Sequence, residues 1–362
     1  MKLADLTTSA GEWLREDGPM HDVVISSRVR LARNVAGMPF LSKCTPTQRV
    51  DLEWRLRDHI LSAQPAPGMF YVDVAAANDL DRQLMVERHL ISRQHASGME
   101  PSVKGGAKKH PNYARGVAIG ADETIAIMVN EEDHLRMQVL RSGLQLEQAV
   151  EDIFRVDNLL EDRIDFAFHT RYGYLTACPT NVGTGLRVSV MLHLPALKMT
   201  GEIEKVFRAG RDMHLAIRGL YGEGTEASGD FFQVSNQTTL GKSEQQIVEE
   251  FRDQILPAFI QYEKRARQSL LSKNRLAIED KVTRAMAILR AARLITSEET
   301  MYLLSLVRLG INEGLVEGVT LKTVNELFLL CQPAHLQRIL GRDMTAQERS
   351  ETRADFIRKR LG

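Results

Sequence analysis

The sequence predicts an α+β chain: a short N-terminal segment (residues 1–20), a strand-rich part over residues 21–255, and an all-helical part over residues 256–362. Three observations predict it. Residues 186–194 alternate cleanly, with Arg187, Ser189 and His193 toward one side and Val188, Val190, Leu192 and Leu194 toward the other. An antiparallel strand between a packed layer and a polar cleft has that pattern. Residues 125–129 form a short apolar run of the kind a buried strand shows. In the last part helix formers dominate, and Ile278, Val282, Ala285, Met286, Leu289 and Ala292 fall on one helical face.

In chain order, Val23-Val24-Ile25 leads into Ser26-Ser27-Arg28-Val29-Arg30. Thr45-Pro46-Thr47-Gln48 has capping-box spacing with proline at the first helical position, which predicts a helix over 47–63. Residues 96–115 and 219–229 are rich in glycine and read as mobile loops. The run at 125–129 delivers Asn130-Glu131-Glu132-Asp133 to a strand end, where side chains leave the core. Residues 172–177 are another strand candidate. The two parts join near 261–272, and Thr345 with Glu348 repeats the capping-box spacing.

A chain of 362 residues, 43% apolar, has room for two domains with ordinary cores. Forty-seven basic against 47 acidic residues leave no net field to draw it onto nucleic acid or a membrane, so an anion site must be a local gathering of arginines. Cys44, Cys178 and Cys331 are odd in number and widely spaced, which argues against a disulfide framework or a zinc site. Residues 1–16 lack an apolar stretch, and no run reaches the roughly 18 residues that span a bilayer; a cytoplasmic location is expected.

No Gly-x-x-x-x-Gly-Lys-[Ser/Thr] run is present, so a bound polyphosphate would depend on arginines. Arg28 and Arg30, two apart on an extended segment, point to the same side and can grip adjacent phosphates with planar forks.

That arginine run, together with Val129-Asn130-Glu131-Glu132-Asp133-His134-Leu135-Arg136 and Cys178-Pro179-Thr180-Asn181-Val182-Gly183-Thr184-Gly185, resembles the phosphagen kinases. These enzymes move the γ-phosphoryl group of ATP to a guanidinium nitrogen. The resemblance runs from about residue 21 to 251 and implies a large antiparallel sheet flanked by helices, with ATP and Mg²⁺ as cofactors and no protein metal cage. It makes Glu132 the acid that binds the guanidinium and accepts its proton, and Glu223 a second acid on a glycine-rich loop. It makes Cys178 the reactive cysteine, able as a thiolate to lie against the substrate. It assigns ATP binding to Ser27, Arg28, Val29, Arg30, Leu31, His89, Arg136, Arg187, Val188, Ser189, Val190, Met191, Arg218, Gly219, Leu220, Tyr221, Gly222 and Glu223. A guanidinium has a pKa above about 12, so fixed carboxylates must orient it and localise its lone pair.

Animal members that phosphorylate free creatine or arginine carry a helical domain ahead of the arginine run. This chain has its helical part behind the catalytic motifs, an arrangement similar to the McsB-type protein arginine kinases of bacteria. An open acceptor site suits an arginine side chain on another protein. The implied activity is ATP-dependent phosphorylation of exposed arginines in protein substrates, within bacterial protein quality control. An activator protein, a chaperone-protease and homodimerisation through the helical part are the implied associations; membrane and direct nucleic-acid contacts are not expected. That branch carries Arg-Asp-x-x-Arg-Ala for binding phosphoarginine and for allosteric control. Here Arg349, Arg353 and Ala354 remain, while Ser350 stands in place of the aspartate. The alternatives are a kinase for a free guanidino metabolite and a phosphoarginine-binding module with weak activity.

Overall fold

The computed structural model describes residues 10–98, 113–220 and 228–362. Its strands are β1 (Val24–Arg33), β2 (Phe70–Asp73), β3 (Gly116–Ile119), β4 (Ile125–Val129), β5 (Leu135–Ser142), β6 (Phe168–His169), β7 (Gly173–Tyr174), β8 (Leu186–His193), β9 (Leu215–Gly219) and β10 (Phe231–Asn236). Among the described residues, eight of these form one sheet in the order β2-β3-β4-β5-β1-β8-β10-β9, with antiparallel pairing throughout. β6 and β7 make a separate small hairpin.

Helices α1 (Pro46–Ala63), α2 (Asp79–Glu87), α3 (Arg93–Ser97), α4 (Leu146–Glu161), α5 (Pro195–Met199), α6 (Ile203–Asp212) and α7 (Glu244–Glu250) are interspersed with the strands. The helical part follows as α8 (Leu256–Ala291), α9 (Ser297–Asn312), α10 (Leu321–Leu330), α11 (Pro333–Leu340) and α12 (Ala346–Leu361). Both capping boxes form. Thr45 accepts from the Gln48 amide at 3.2 Å while Gln48 accepts from the Thr45 amide at 2.9 Å, and Thr345 with Glu348 does the same for α12.

β1 lies between β5 and β8, so its alternation sets both faces of the sheet. Residues directly opposite in an antiparallel pair share a face. Val29, Leu31, Met137, Val139, Val188 and Val190 point to the side packed by α1 and α4, where the main core lies. On the other side, Arg28 is opposite Leu140 and Ser189, and Arg30 is opposite Gln138 and Arg187. Two apolar clusters flank this arginine face. Val117, Ile119, Ala126 and Met128 pack with Met85, Leu90 and Ile91 on one flank. Ile25, Leu140, Met191 and Phe231 pack under the helical part on the other.

Several sequence expectations change in three dimensions. The polar side of β8 is no open cleft at its far end: Ser189 and His193 are fully buried. His193 Nε2 lies 2.8 Å from Ser305 Oγ and its Nδ1 3.0 Å from Arg308 of α9, so the helical part closes over it. Of residues 172–177, only Gly173–Tyr174 is strand. α8 runs through residues 261–272 as helix and kinks just beyond them, at Asn274, where φ −146° and ψ 44° leave the helical region. Ile278, Val282, Ala285, Met286 and Leu289 are buried as their spacing predicts, and Ala292 is the helix's C-cap. Most of the two expected mobile loops, residues 99–112 and 221–227, lies outside the described residues.

Candidate active site

Arg28 and Arg30 from β1, Arg136 from β5 and Arg218 from β9 line one pocket of about 190 Å³. His89, Val86, Ile91, Ser92, Arg93 and Gln94 form the α2–α3 wall, and Leu220 and Gln233 close the opposite side. Strand register is what gathers the cations. Gln233 of β10 pairs with Arg218 and with Met191, placing Arg218 on the same face as Arg28 and Arg30 although two strands intervene. Arg187 is on this face too, opposite Arg30, with its Nε 3.3 Å from Ser235 Oγ.

The lining contains no carboxylate among the described residues. Burial, then repulsion from Arg136, Arg187 and Arg218, pushes the Arg28 guanidinium down to about 9. Arg30 lies well below its ordinary value for the same reasons, with Arg28 added to the repulsion. The Nε atoms of both are buried and have no hydrogen-bond partner among the described residues. Buried donors without an acceptor are costly, and the oxygens of a bound phosphate would supply both the acceptors and the charge.

His89 follows α2 with a left-handed backbone (φ 59°). Its ring meets Trp13 edge-on at 4.6 Å, and its carbonyl accepts from Gln138 Nε2 at 2.6 Å. Burial, helped by Arg28 and Arg93, pushes the imidazole down to about 3, so the ring is neutral at physiological pH.

The acidic turn between β4 and β5 does not simply leave the core. Asn130, Glu131 and Asp133 are buried, and Glu132 alone of the four is half-exposed. Glu131 bonds Arg136 at 2.6 Å and Ser92 Oγ at 2.5 Å, which ties the turn to two residues of the pocket. Burial raises its pKa, but the Arg136 guanidinium and the Ser92 hydroxyl more than reverse this and hold it at about 2. Asp133 Oδ1 accepts from Ala177 N at 2.7 Å and from Asn34 Nδ2 at 2.6 Å. The neighbours of Glu132 and of Cys178 are therefore joined by one hydrogen bond. Cys178 is half-buried, with Sγ 3.0 Å from Thr180 Oγ1.

Strand alternation separates the other expected binding residues. The side chains of Val29, Leu31, Val188 and Val190 are in the core on the opposite face. Ser27 also faces that side, bonding Gly143 O at 2.8 Å and accepting from Gln145 N at 3.0 Å. They support the sheet and do not line the pocket. Ser189 donates to Arg28 O at 3.1 Å, Met191 packs under the helical part, and Gly219 ends β9. Tyr221, Gly222 and Glu223 lie outside the described residues. Sequence reading missed Ser92, Arg93, Gln94 and Gln233. Only the N-cap serine of α3 had a local signal, since Ser92 Oγ accepts from His95 N at 3.0 Å. Outside the pocket lining, Arg353 is 2% exposed and donates to Cys331 O at 2.8 Å and Ile295 O at 3.0 Å. Arg349 donates to Met344 O at 2.6 Å, and Ala354 is buried in the helical core.

Residues 55–266 match the family model described as ATP:guanido phosphotransferase, C-terminal catalytic domain. Residues 275–362 match the one described as Protein-arginine kinase McsB C-terminal domain. The chain is 46% identical over 360 residues to the protein-arginine kinase of Symbiobacterium thermophilum, covering 98% of each chain. It is 41% identical to that of Halothermothrix orenii, covering 100% of this chain and 99% of the relative. Against that of Bacillus subtilis the identity is 40%, over 96% and 93% of the two. Among solved structures, a lombricine kinase superposes with TM-score 0.56 at 25% identity, over 72% of this chain and 70% of that one. A duplicated taurocyamine kinase from Schistosoma mansoni superposes with TM-score 0.57 at 27% identity, over 73% of this chain and 36% of that one. No helix among the described residues is long and apolar enough to cross a membrane.

Proposed function

Because this chain belongs to the ATP:guanido phosphotransferase family and carries the C-terminal domain of its protein-arginine kinase branch, we propose that it phosphorylates arginine side chains of other proteins from ATP. The observation that carries the reading is the pocket in which Arg28, Arg30, Arg136 and Arg218 converge, with no carboxylate in its lining among the described residues. Such a cluster fits a polyphosphate, taken as its Mg²⁺ complex so that the metal arrives on the phosphates.

In the reaction, a guanidinium nitrogen of the acceptor attacks the γ-phosphorus, the P–N bond forms, and the bond to the β-phosphate oxygen breaks to release ADP. Glu132 takes the proton that the nitrogen loses. The arginines compensate the charge that shifts onto the leaving oxygen, and they are set by the sheet before substrate binds. Cys178 and Glu223 are assigned to the acceptor side, where they orient the guanidinium. We extend the proposal to a role in protein quality control, supported by the family resemblance.

The test is mass spectrometry, under non-acidic conditions that spare the P–N bond, of casein and of free arginine after incubation with the protein and Mg·ATP. Phosphoarginine in casein, absent with Glu132→Gln although that variant still binds ATP, is the expected result. Modification of free arginine alone would reassign the chain to metabolite kinases. No transfer to either would leave a binding module.

A further inference from the structure

Three consecutive residues link the helical part to the pocket wall. Glu87, 4% exposed, ends α2 and gives both carboxylate oxygens to the N-terminus of α11. Its Oε1 accepts from Ala334 N at 2.9 Å, and its Oε2 accepts from His335 N at 3.2 Å and His335 Nδ1 at 2.8 Å. A carboxylate there satisfies the orphan donors of a helix start and complements its dipole.

Arg88 is fully buried. It makes a two-pronged bond to Glu123, Nε to Oε2 at 2.9 Å and Nη2 to Oε1 at 2.6 Å, and its Nη1 lies 3.1 Å from His335 Nε2. One neutral tautomer of His335 accounts for both contacts, with Nδ1–H donating to Glu87 and the Nε2 lone pair accepting from Arg88. His89 comes next, lining the arginine pocket in a left-handed conformation that non-glycine residues occupy only within a narrow well. The first turn of α11 is therefore bonded to both residues that precede His89.

We propose that Glu87 and His335 are positioning residues for the nucleotide: α11, held by Glu87, fixes the place of His89 and so the shape of the ATP seat. This rests on the reading of the arginine pocket as the nucleotide site. It makes the helical part a component of that site.

The experiment measures Mg·ATP affinity by calorimetry, and kcat and KM for ATP and for casein, in the full-length protein and in Glu87→Gln, His335→Leu and His335→Asn. Glu87→Gln and His335→Leu should raise Kd and KM for ATP roughly tenfold, as loss of an outer-shell partner does, with kcat and casein KM within about twofold. His335→Asn, whose amide N–H replaces the Nδ1 donor, should recover most of the affinity. A merely structural role would reduce the folded fraction without moving KM in what remains. Unchanged ATP affinity in folded Glu87→Gln, or an equal loss on the casein side, would overturn the proposal; should His335→Leu not fold, Glu87→Gln decides alone. Arg28→Ala separates the two readings. If it too leaves ATP affinity unchanged, the pocket is not the nucleotide seat, whereas an effect of Arg28→Ala without one of Glu87→Gln removes the positioning role alone.

Discussion

Arg28 and Arg30 are placed where the ligand-free protein gains nothing from them. Their Nε donors have no partner among the described residues, and each guanidinium sits among others of the same charge. Function and stability should therefore separate at these residues. Arg30→Met keeps the volume and removes one cation, so ATP affinity should fall by tenfold or more, each charge-assisted bond being worth about 1.5–3 kcal/mol. Stability of the ligand-free protein to urea should stay level or rise by about 1 kcal/mol. Calorimetry with Mg·ATP and a urea titration of the same preparation check the two halves. A loss of stability equal to the loss of affinity would mean that Arg30 serves the fold. Glu131 is the contrasting residue: buried and next to the proposed base, it is committed to Arg136 and Ser92, so it holds two residues of the pocket in place.

At the scale of elements, the proposed acceptor side is built from two turns that share one carboxylate. Asp133 follows Glu132 and receives the amide of Ala177, which precedes Cys178, while Asn34 from the end of β1 bridges the same oxygen to Leu175 O. Asp133→Ala should let the two turns drift apart without touching the arginine pocket. The expected result is a fall in kcat of roughly tenfold or more with ATP affinity within about twofold, because misplacing a reacting group by an ångström has that effect. Rapid-quench transfer to casein and equilibrium ATP binding would show it. Equal kcat in the variant would mean that the two turns keep their places by other contacts. Some elements were legible in the sequence and this junction was not. The helix start at Thr45 and the buried faces of β4 and α8 follow from neighbours in the chain. Ala177 and Asp133 are 44 positions apart and show no periodicity that would join them.

Across the whole molecule, the interior holds imidazoles that burial keeps neutral. Burial pushes His95 and His134 down to about 4 and His89 to about 3, and it drives His193 well below its usual value, with Arg308 and Arg267 adding repulsion. These folded-state values lie below the ordinary one of 6.5, so as pH falls from 6.5 the unfolded chain binds protons that the folded chain does not. Stability is then lost on acidification through that window. The carboxyls that burial raises, Glu12, Asp133, Asp157 and Glu263, pull the other way. At pH 5.5 each buried histidine should cost on the order of 1 kcal/mol relative to pH 7.5, and the unfolded chain's carboxyls are largely ionised there. Urea unfolding at the two pH values should show lower stability at pH 5.5, with His134→Asn reducing the difference; a flat profile would mean that these imidazoles are hydrated. His193 also carries a structural lesson. Its contacts with Ser305 and Arg308 lie at the seam between sheet and helical part, so acidification should weaken that seam as well as the catalytic part.

What depends on near neighbours was readable from residue order: the capping boxes, the alternation of β8, the apolar stripe of α8, and the shared side of Arg28 and Arg30. The motifs also carried the family, because its chemistry needs particular acids and arginines close together in the chain. Strand order put Arg218 beside Arg28 across two intervening strands, and packing closed the helical part over His193. The folded chain also joined Glu87 to His335 across 248 positions. Backbone geometry repeats over a few residues and leaves its mark on sequence, whereas a hydrogen bond between distant segments depends on where the rest of the chain has placed both partners.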